Sequence, residues 1–490
     1  MYLGIDVGTQ SVKALLYDGQ AARVVAVESA PLELLSEADG TREQLAGWWI
    51  SALGRCLAGL PGRDREAVRA VGISGQHHGF VPLDAGGEVL APVKLWCDTA
   101  TTAECDEITA AFGGEQRCIE AVGNAILPGY TASKIRWLRN HRPDDYARLD
   151  TILLPHDYVN FYLTGERSME CGDASGTGLL DVRERGWHPG MLAALDAERD
   201  LAAALPDLAA PGSVIGRVTP AAASELGLPA GIPVATGGGD NMMAAIGTGA
   251  VGPGRATASL GTSGTLFASA RQPVVDPGGQ LAAFCSSAGD WLPLWCTMNC
   301  TVSTELTRDL FGVPLESLDD RVAVVPPGSR GVVTVPFFNG ERAPNLPAAK
   351  GCVLGLDAGN YHPDNLLRAS MESAIYGLRT GLDTLRRLAC PVDALRLTGG
   401  GAASAVWRQM AADILDLPVA VLHIDEGAAL GAALQALWTT EGGDLLALVD
   451  EHLREDESRA ALPSPGAVAA YTGHYDNYLR HVDAVAQLYG

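Results

Sequence analysis

The stretch GIDVGTQSVKALLYD at residues 4–18 has a partial copy, SLGTSGTLFAS, at residues 259–269. In each, a Gly-Thr pair and a hydroxyl residue separate two apolar runs of strand length, the pattern of a β-hairpin with a tight turn. A second pair of segments repeats in the same way. VATGGGDNMMAAIG (234–247) and LRLTGGGAASAVWRQMAADILD (395–416) both run from an apolar strand through three glycines into a helix. In the latter, Val406, Met410, Ile414 and Leu417 recur at helical spacing and form an apolar stripe. Two similar hairpins in two similar halves point to a duplicated α/β domain with a cleft between the copies.

The repeated loops also carry polar residues that a core does not explain. Asp6 interrupts the first apolar run of the hairpin and Lys13 the second. A buried carboxylate without a partner is costly, so Asp6 requires one. Hairpin-turn amides and hydroxyls can cradle phosphate. Glycines that open a helix let a ligand approach the backbone, and the helix N-terminus attracts anions. An aspartate beside such loops can hold Mg²⁺ directly or through water. Asp6 is therefore expected to face a nucleotide-bound magnesium ion, and Lys13 to reach phosphate.

Other phosphate motifs do not apply. The sequence has no GxxxxGK[ST] loop. Its GxGxxG match at Gly247, Gly249 and Gly252 ends a predicted helix instead of opening one, which excludes a dinucleotide fingerprint. The adjacent His77 and His78, read as strand neighbours, point to opposite faces and do not readily share a metal ion. Asp98, beside Thr99, reads as either a loop cap or a functional group. Trp96 reads as a packing residue with its N–H satisfied.

The 490 residues carry a formal net charge of −23, which argues against a general nucleic-acid binder but leaves a local nucleotide site open. The ten cysteines contain no CxxC pair, so a structural zinc site is not expected and reduced cytosolic thiols are. No basic leader or long apolar span is visible, so the expectation is a cytoplasmic protein with no membrane association. Residues 1 to about 240 and about 250 to 440 each alternate strand-like and helix-like segments. The stretch 203–233, rich in Ala, Pro and Gly, reads as a connecting region, and DEHLREDESRAALPSPGA as an exposed surface segment.

Together the motifs GISGQHHGFVPLD, LPGYTASKIRWLRNH, LLPHDYVNFYLTGE, DASGTGLLDV, GGGDN, SLGTSGTLF, NGERAP and LTGGGAASAVWRQMAAD resemble, in order, those of the FGGY family of carbohydrate kinases. GCVLGLDAGNYHPDNLLRASMES (351–373) is similar to the family's second-domain signature, with Asn365, Ala369, Ser370 and Glu372 in place. Within the family the bacterial xylulokinase branch is the most similar. The resemblance implies two duplicated ribonuclease-H-like domains of the sugar kinase/actin/Hsp70 type flanking a cleft. Residues 1–245 would form the sugar-binding domain with part of the phosphate site, 250–440 the ATP-binding domain, and 441–490 a tail packed on the second domain. It further implies ATP-dependent phosphorylation of D-xylulose to the 5-phosphate, with Mg²⁺. The partners are then a small sugar and ATP, with a homodimer left open.

The same resemblance assigns roles. Asp240 would be the general base and would bind the sugar with Asn241, His77 and His78, with Gln76 close by. Asp6 would be the metal-side carboxylate. Thr9, Gln10, Lys13, Gly261 and Thr262 would lie near the phosphates, and Gly400, Gly401 and Ser404 along the adenosine pocket. Glu341 and Arg342 read as a loop-shaping ion pair outside the site. Two positions depart from the xylulokinase pattern. His77 stands where methionine is common, and Ala100 follows Trp96-Cys97-Asp98-Thr99 where arginine is common. A kinase for another ketose or polyol, such as ribulose, is the alternative. An actin- or Hsp70-like ATPase without a sugar acceptor is the alternative from another class.

Overall fold

The structure, a computed structural model, describes residues 1–424 and 426–489. Strands β1 (Tyr2–Val7), β2 (Ser11–Asp18) and β3 (Arg23–Pro31) form an antiparallel meander, and β4 (Ala70–Gly75) adds parallel to β1. The sheet continues through β6 (Pro233–Ala235) to β5 (Val214–Arg217), in the order β5-β6-β4-β1-β2-β3, while β7 (Gly238–Gly239) pairs with the end of β4. The second sheet repeats the plan. β8 (Gly254–Leu260), β9 (Gly264–Ala268) and β10 (Leu294–Thr297) form a meander, β11 (Val392–Thr398) adds parallel to β8, and β12 (Val419–Ala420) follows. The halves are duplicated ribonuclease-H-like domains flanking a cleft.

The helices that build and support the site are α1 (Ala46–Gly59), α2 (Thr131–His141), α3 (Pro155–Thr164), α4 (Asp240–Thr248), α5 (Pro363–Arg387), α6 (Ala405–Leu415), α7 (Gly427–Glu441) and α8 (Pro465–Tyr489). Strand β1 is covered on both faces, which is why it reads as a nearly unbroken apolar run. Its odd positions, Leu3, Ile5 and Val7, join Trp49 and Leu53 of α1 in one core. Its even positions, Tyr2, Gly4 and Asp6, share the other face. There Tyr2 packs in the cluster containing α7, and Gly4 lies directly under the α7 backbone. Asp6 comes last on that face, where α7 begins and the cleft opens. A carboxylate is tolerated in this strand because its end leaves the core.

The stretch 203–233 is not a linker. It contributes β5, the helix Pro220–Leu226 and the start of β6 to the first sheet and its core, with Ala222, Ala223, Leu226 and Leu228 buried. Its Pro and Gly mark turns between very short elements, not a domain boundary. The second half of the 351–373 signature opens α5 and serves packing. Glu372, buried, accepts hydrogen bonds from Gly328 N (3.0 Å), Ser329 Oγ (2.9 Å), Arg368 Nε (2.7 Å) and Tyr471 OH (2.9 Å). Tyr471 belongs to α8, which places Tyr475, Tyr478, Val482 and Val485 in the second core. The preceding helix, Leu445–His452, lies elsewhere, its His452 Nδ1 2.7 Å from Tyr17 OH. Among the described residues no helix is long and apolar enough to cross a membrane, and all ten cysteines are unpaired.

Candidate active site

The floor of the cleft is the β1–β2 hairpin. In register, Asp6 lies opposite Lys13 and beside Ser74. Ser74 Oγ donates to Asp6 Oδ1 at 2.7 Å. Burial pushes the Asp6 carboxyl up to about 6, and the neighbouring Asp240 adds to the rise. Lys13 Nζ donates to Glu426 Oε2 at 2.5 Å, across the cleft floor at the start of α7. In the turn, Thr9 Oγ1 donates to Gln76 Oε1 (3.0 Å) and accepts from Trp96 Nε1 (2.9 Å), while Gln10 is exposed. Trp96 is 39% exposed, so its N–H is satisfied but its ring lies over the turn and not in a core. Asp98 is a loop cap, accepting from Arg42 N (2.8 Å), Ala100 N (3.0 Å) and Lys94 Nζ (3.1 Å).

Strand β4 stops at Gly75, before the histidines. His78 then adopts a left-handed backbone with φ of 63°. Lys134 Nζ (2.6 Å) and Thr131 Oγ1 (3.2 Å), both from α2, donate to the His78 carbonyl and hold that conformation. The expectation of opposite faces therefore fails: the two imidazoles lie together, with ring centres 5.0 Å apart. His77 stacks on Phe284 at 5.7 Å, and His78 packs on Tyr130 at 4.8 Å. Gly176 lies so close under His78 that a Cβ there would come 2.1 Å from its Cε1. His77, His78 and Asp173 come within 4.8 Å of one another, a proximity that the direct His77–Asp173 hydrogen bond accounts for.

Asp240 is the first residue of α4, delivered by the Gly237–Gly239 loop, in which Gly237 has a φ of 73°. Asn241 N (2.7 Å) and Nδ2 (2.9 Å) donate to Asp240 Oδ1, and His77 Nε2 lies 3.2 Å from the same oxygen. Oδ2 has none of these contacts, and the side chain is 41% exposed toward the cleft. Burial raises the Asp240 pKa and His77 pulls it back.

The opposite wall comes from the second sheet. Gly261 and Thr262 form the β8–β9 turn, and the Gly399–Gly401 loop adjoins it through the Ser259–Thr398 pairing. A Cβ on Gly400 would meet open space, whereas one on Gly401 would lie 2.8 Å from Leu260 Cβ and 3.0 Å from Trp407 Cε3. Gly400 thus faces outward and Gly401 packs inward. Ser404 caps α6, its Oγ accepting from Trp407 N (3.0 Å) and donating to Asp319 Oδ1 (2.6 Å). Glu341 and Arg342 are not an ion pair. Glu341 accepts from Met298 N (2.7 Å), Asn299 Nδ2 (3.3 Å) and its neighbour's backbone N (2.8 Å), and the Arg342 guanidinium faces Tyr130 and Cys296.

Each half thus carries a Gly-Thr hairpin turn and a glycine loop, and in the first half a carboxylate and two histidines stand together. Residues 1–247 match the N-terminal domain of the FGGY family of carbohydrate kinases, and residues 256–440 match its C-terminal domain. The chain belongs to the FGGY family of carbohydrate kinases. It is 42% identical over 496 residues to a xylulose kinase of Haemophilus influenzae, covering 100% of both chains. Among solved structures it is similar to a "xyloylose kinase" from Brucella ovis (31% identity, TM-score 0.92, 99% of both chains). A gluconate kinase from Lactobacillus acidophilus shares the fold (24% identity, TM-score 0.93, 100% of this chain and 98% of the other).

In this FGGY carbohydrate kinase the site includes residues the sequence reading left without a role. Asp173 and His156 support His77, Lys134 holds the His78 loop, and Phe284 and Arg342 bring the second domain against the histidines. All but Phe284 lie in motifs quoted above. What was missing was the pairing, since His77 and Asp173 are 96 positions apart.

Proposed function

We propose that this chain transfers the γ-phosphoryl group of ATP to D-xylulose, forming D-xylulose 5-phosphate. One observation carries the mechanism: Asp240 has one oxygen tied down by its neighbours and the other turned to the cleft beside two histidines. A carboxylate so presented suits the acceptor hydroxyl, taking its proton as the oxygen attacks phosphorus in line. The likeness to xylulose kinases supports the choice of acceptor. In this reading residues 1–245 hold the sugar and 250–440 the nucleotide, with the tail 441–490 as support. Asn241 and His78 contact the acceptor, with His77 close by. Thr9, Gln10, Lys13, Gly261 and Thr262 lie along the phosphates, and Gly400, Gly401 and Ser404 along adenosine.

The donor set fits a hard, oxygen-preferring cation. Asp6 keeps one carboxylate oxygen free of Ser74 and shares the cleft with Asp240. Asp6 would hold Mg²⁺, which when bound supplies charge neutralisation for the phosphates. Closure of the domains over the ligands would exclude water as a competing acceptor. The ten unpaired thiols favour a reducing, cytoplasmic setting.

ADP release measured with xylulose, ribulose, glycerol and no sugar tests this reading. Xylulose is expected to give the highest kcat/KM, with little release in its absence. A higher value for another ketose would reassign the acceptor, and sugar-independent release would remove the kinase reading. His78→Ala is expected to raise the xylulose KM roughly tenfold to a hundredfold, the equivalent of about 1–3 kcal/mol for a lost buried hydrogen bond. Burial, with His77 and Lys134 adjacent, holds this imidazole neutral, which suits it to both donate to and accept from sugar hydroxyls. An unchanged sugar KM in that variant would remove His78 from the acceptor pocket.

A further inference from the structure

A row of close imidazole–carboxylate contacts runs inward from Asp240. His77 Nε2 is 3.2 Å from Asp240 Oδ1, and His77 Nδ1 is 2.9 Å from Asp173 Oδ1. Asp173 Oδ2 is 2.8 Å from His156 Nδ1, and His156 Nε2 is 2.9 Å from Asp157 Oδ1. Behind Asp240 every member is buried. We infer that His77, oriented by Asp173, is a positioning residue for Asp240: its Nε2–H holds Oδ1, so that Oδ2 alone meets the acceptor hydroxyl. This inference rests on the reading of Asp240 as the base.

The proton count follows from the contacts. Asp173 is 0% exposed and receives one imidazole on each oxygen. Burial works against its ionisation, but the bonds from His156 and His77 outweigh it and hold the carboxyl below its usual range. An ionised Asp173 accepts only, so both Nδ1 atoms carry hydrogen. That leaves His77 Nε2 facing Asp240 Oδ1. Nε2 lies within ion-pair distance of Oδ1, so a proton on Nε2 is attracted to that carboxylate. Oδ1 already accepts two N–H bonds from Asn241, and donors to a carboxylate favour its ionised form. The proton therefore resides on Nε2, and His77 is an imidazolium between two carboxylates. The Asn241 amide is also 3.4 Å from Nε2, too far to compete with its 2.7 Å bond to Oδ1. Methionine in its place would offer no such donor.

The charges around the pair agree with this state. His77 is faced by Asp240 from α4, by Asp173 and Glu170 from the segment after α3, and by neutral His78 from its own loop. His156 and Asp157 stand behind Asp173, and Asp6 faces Asp240 from β1. Burial alone would lower the His77 pKa, but the carboxylates of Asp240 and Asp173 outweigh it and raise it.

The pH profile of kcat tests the inference. A base works when ionised, so kcat rises with pH through the Asp240 pKa. A cation at His77 holds that pKa down, so its loss moves the acid limb to higher pH. The expected displacement for His77→Met and His77→Gln is about one unit or more. Asp173→Asn is expected to displace the limb in the same direction without touching Asp240, because His77 then loses the partner that keeps it protonated. Glutamine at 77 can still donate to Oδ1, so His77→Gln should recover part of the high-pH kcat lost in His77→Met. An acid limb at the wild-type pH in His77→Gln and His77→Met overturns the inference, even if Asp173→Asn fails to fold. Failure of the base reading is seen separately, as full turnover by Asp240→Asn.

Discussion

Asp240→Asn is expected to lower kcat by about 10²–10⁴-fold while ATP and xylulose still bind, the usual size of a general-base contribution. The geometry explains why binding should survive. Asp240 Oδ1 accepts from Asn241 N at 2.7 Å and from its Nδ2 at 2.9 Å, and an asparagine carbonyl oxygen can take the same bonds. The first turn of α4 and the glycine loop before it should therefore keep their places. What changes is the cleft-facing atom. An amide nitrogen there donates where a carboxylate oxygen would accept a proton. The measurement is kcat for ADP release with D-xylulose, alongside calorimetric binding of each ligand. Near-normal turnover in a folded variant would remove Asp240 as the base. Loss of sugar binding would show that the carboxylate mainly orients the acceptor.

The parts of this site that sequence disclosed were those encoded locally. The hairpin around Gly8 and Thr9, the strand–glycine–helix junction before Asp240, and the anomaly of Asp6 in an apolar run all depend on residues within a few positions of one another. Even the end of the GxGxxG match was legible, since Gly249 terminates α4 in a left-handed conformation. Failures arose where the deciding contact was distant. His77 and His78 were assigned opposite faces on the assumption that β4 continued past Gly75. The positive φ at His78 depends on Lys134 and Thr131, more than fifty positions away. Glu341 and Arg342 are adjacent and oppositely charged, yet Asn299 and the Met298 amide claim the glutamate. The 203–233 stretch has a linker's composition because strands as short as β5 and β6 leave most of it to turns.

The glycines of the helix crossing beneath the site lead to the second large effect. Helix α7 lies between the first sheet and α4 without side-chain padding. A Cβ on Gly4 would lie 1.9 Å from Ala429 O, and one on Gly72 would lie 2.0 Å from Ala432 O. On the other side, a Cβ on Gly247 would lie 1.9 Å from Gly427 O. A Cβ on Gly431 would lie 1.7 Å from Met243 O and 2.8 Å from Gly247 N. All of these are backbone atoms, which cannot step aside as a side chain does. Gly431→Ala gains at most about 1 kcal/mol of helix propensity. Overpacking typically costs about 1–3 kcal/mol, and a backbone clash this close belongs at or beyond the upper end. We expect a net loss of about 2 kcal/mol or more, read as a Tm lower by roughly 2–4 °C. Because α4 begins with Asp240, the shift that relieves the clash should also reduce kcat. Gly427→Ala is the control on the same helix, since its Cβ would meet nothing nearer than Ala244 Cβ at 3.6 Å. It should leave Tm close to the wild-type value. If Gly431→Ala melts no lower than Gly427→Ala, the two helices have room to part, and close backbone contact is not what fixes α4 under the cleft.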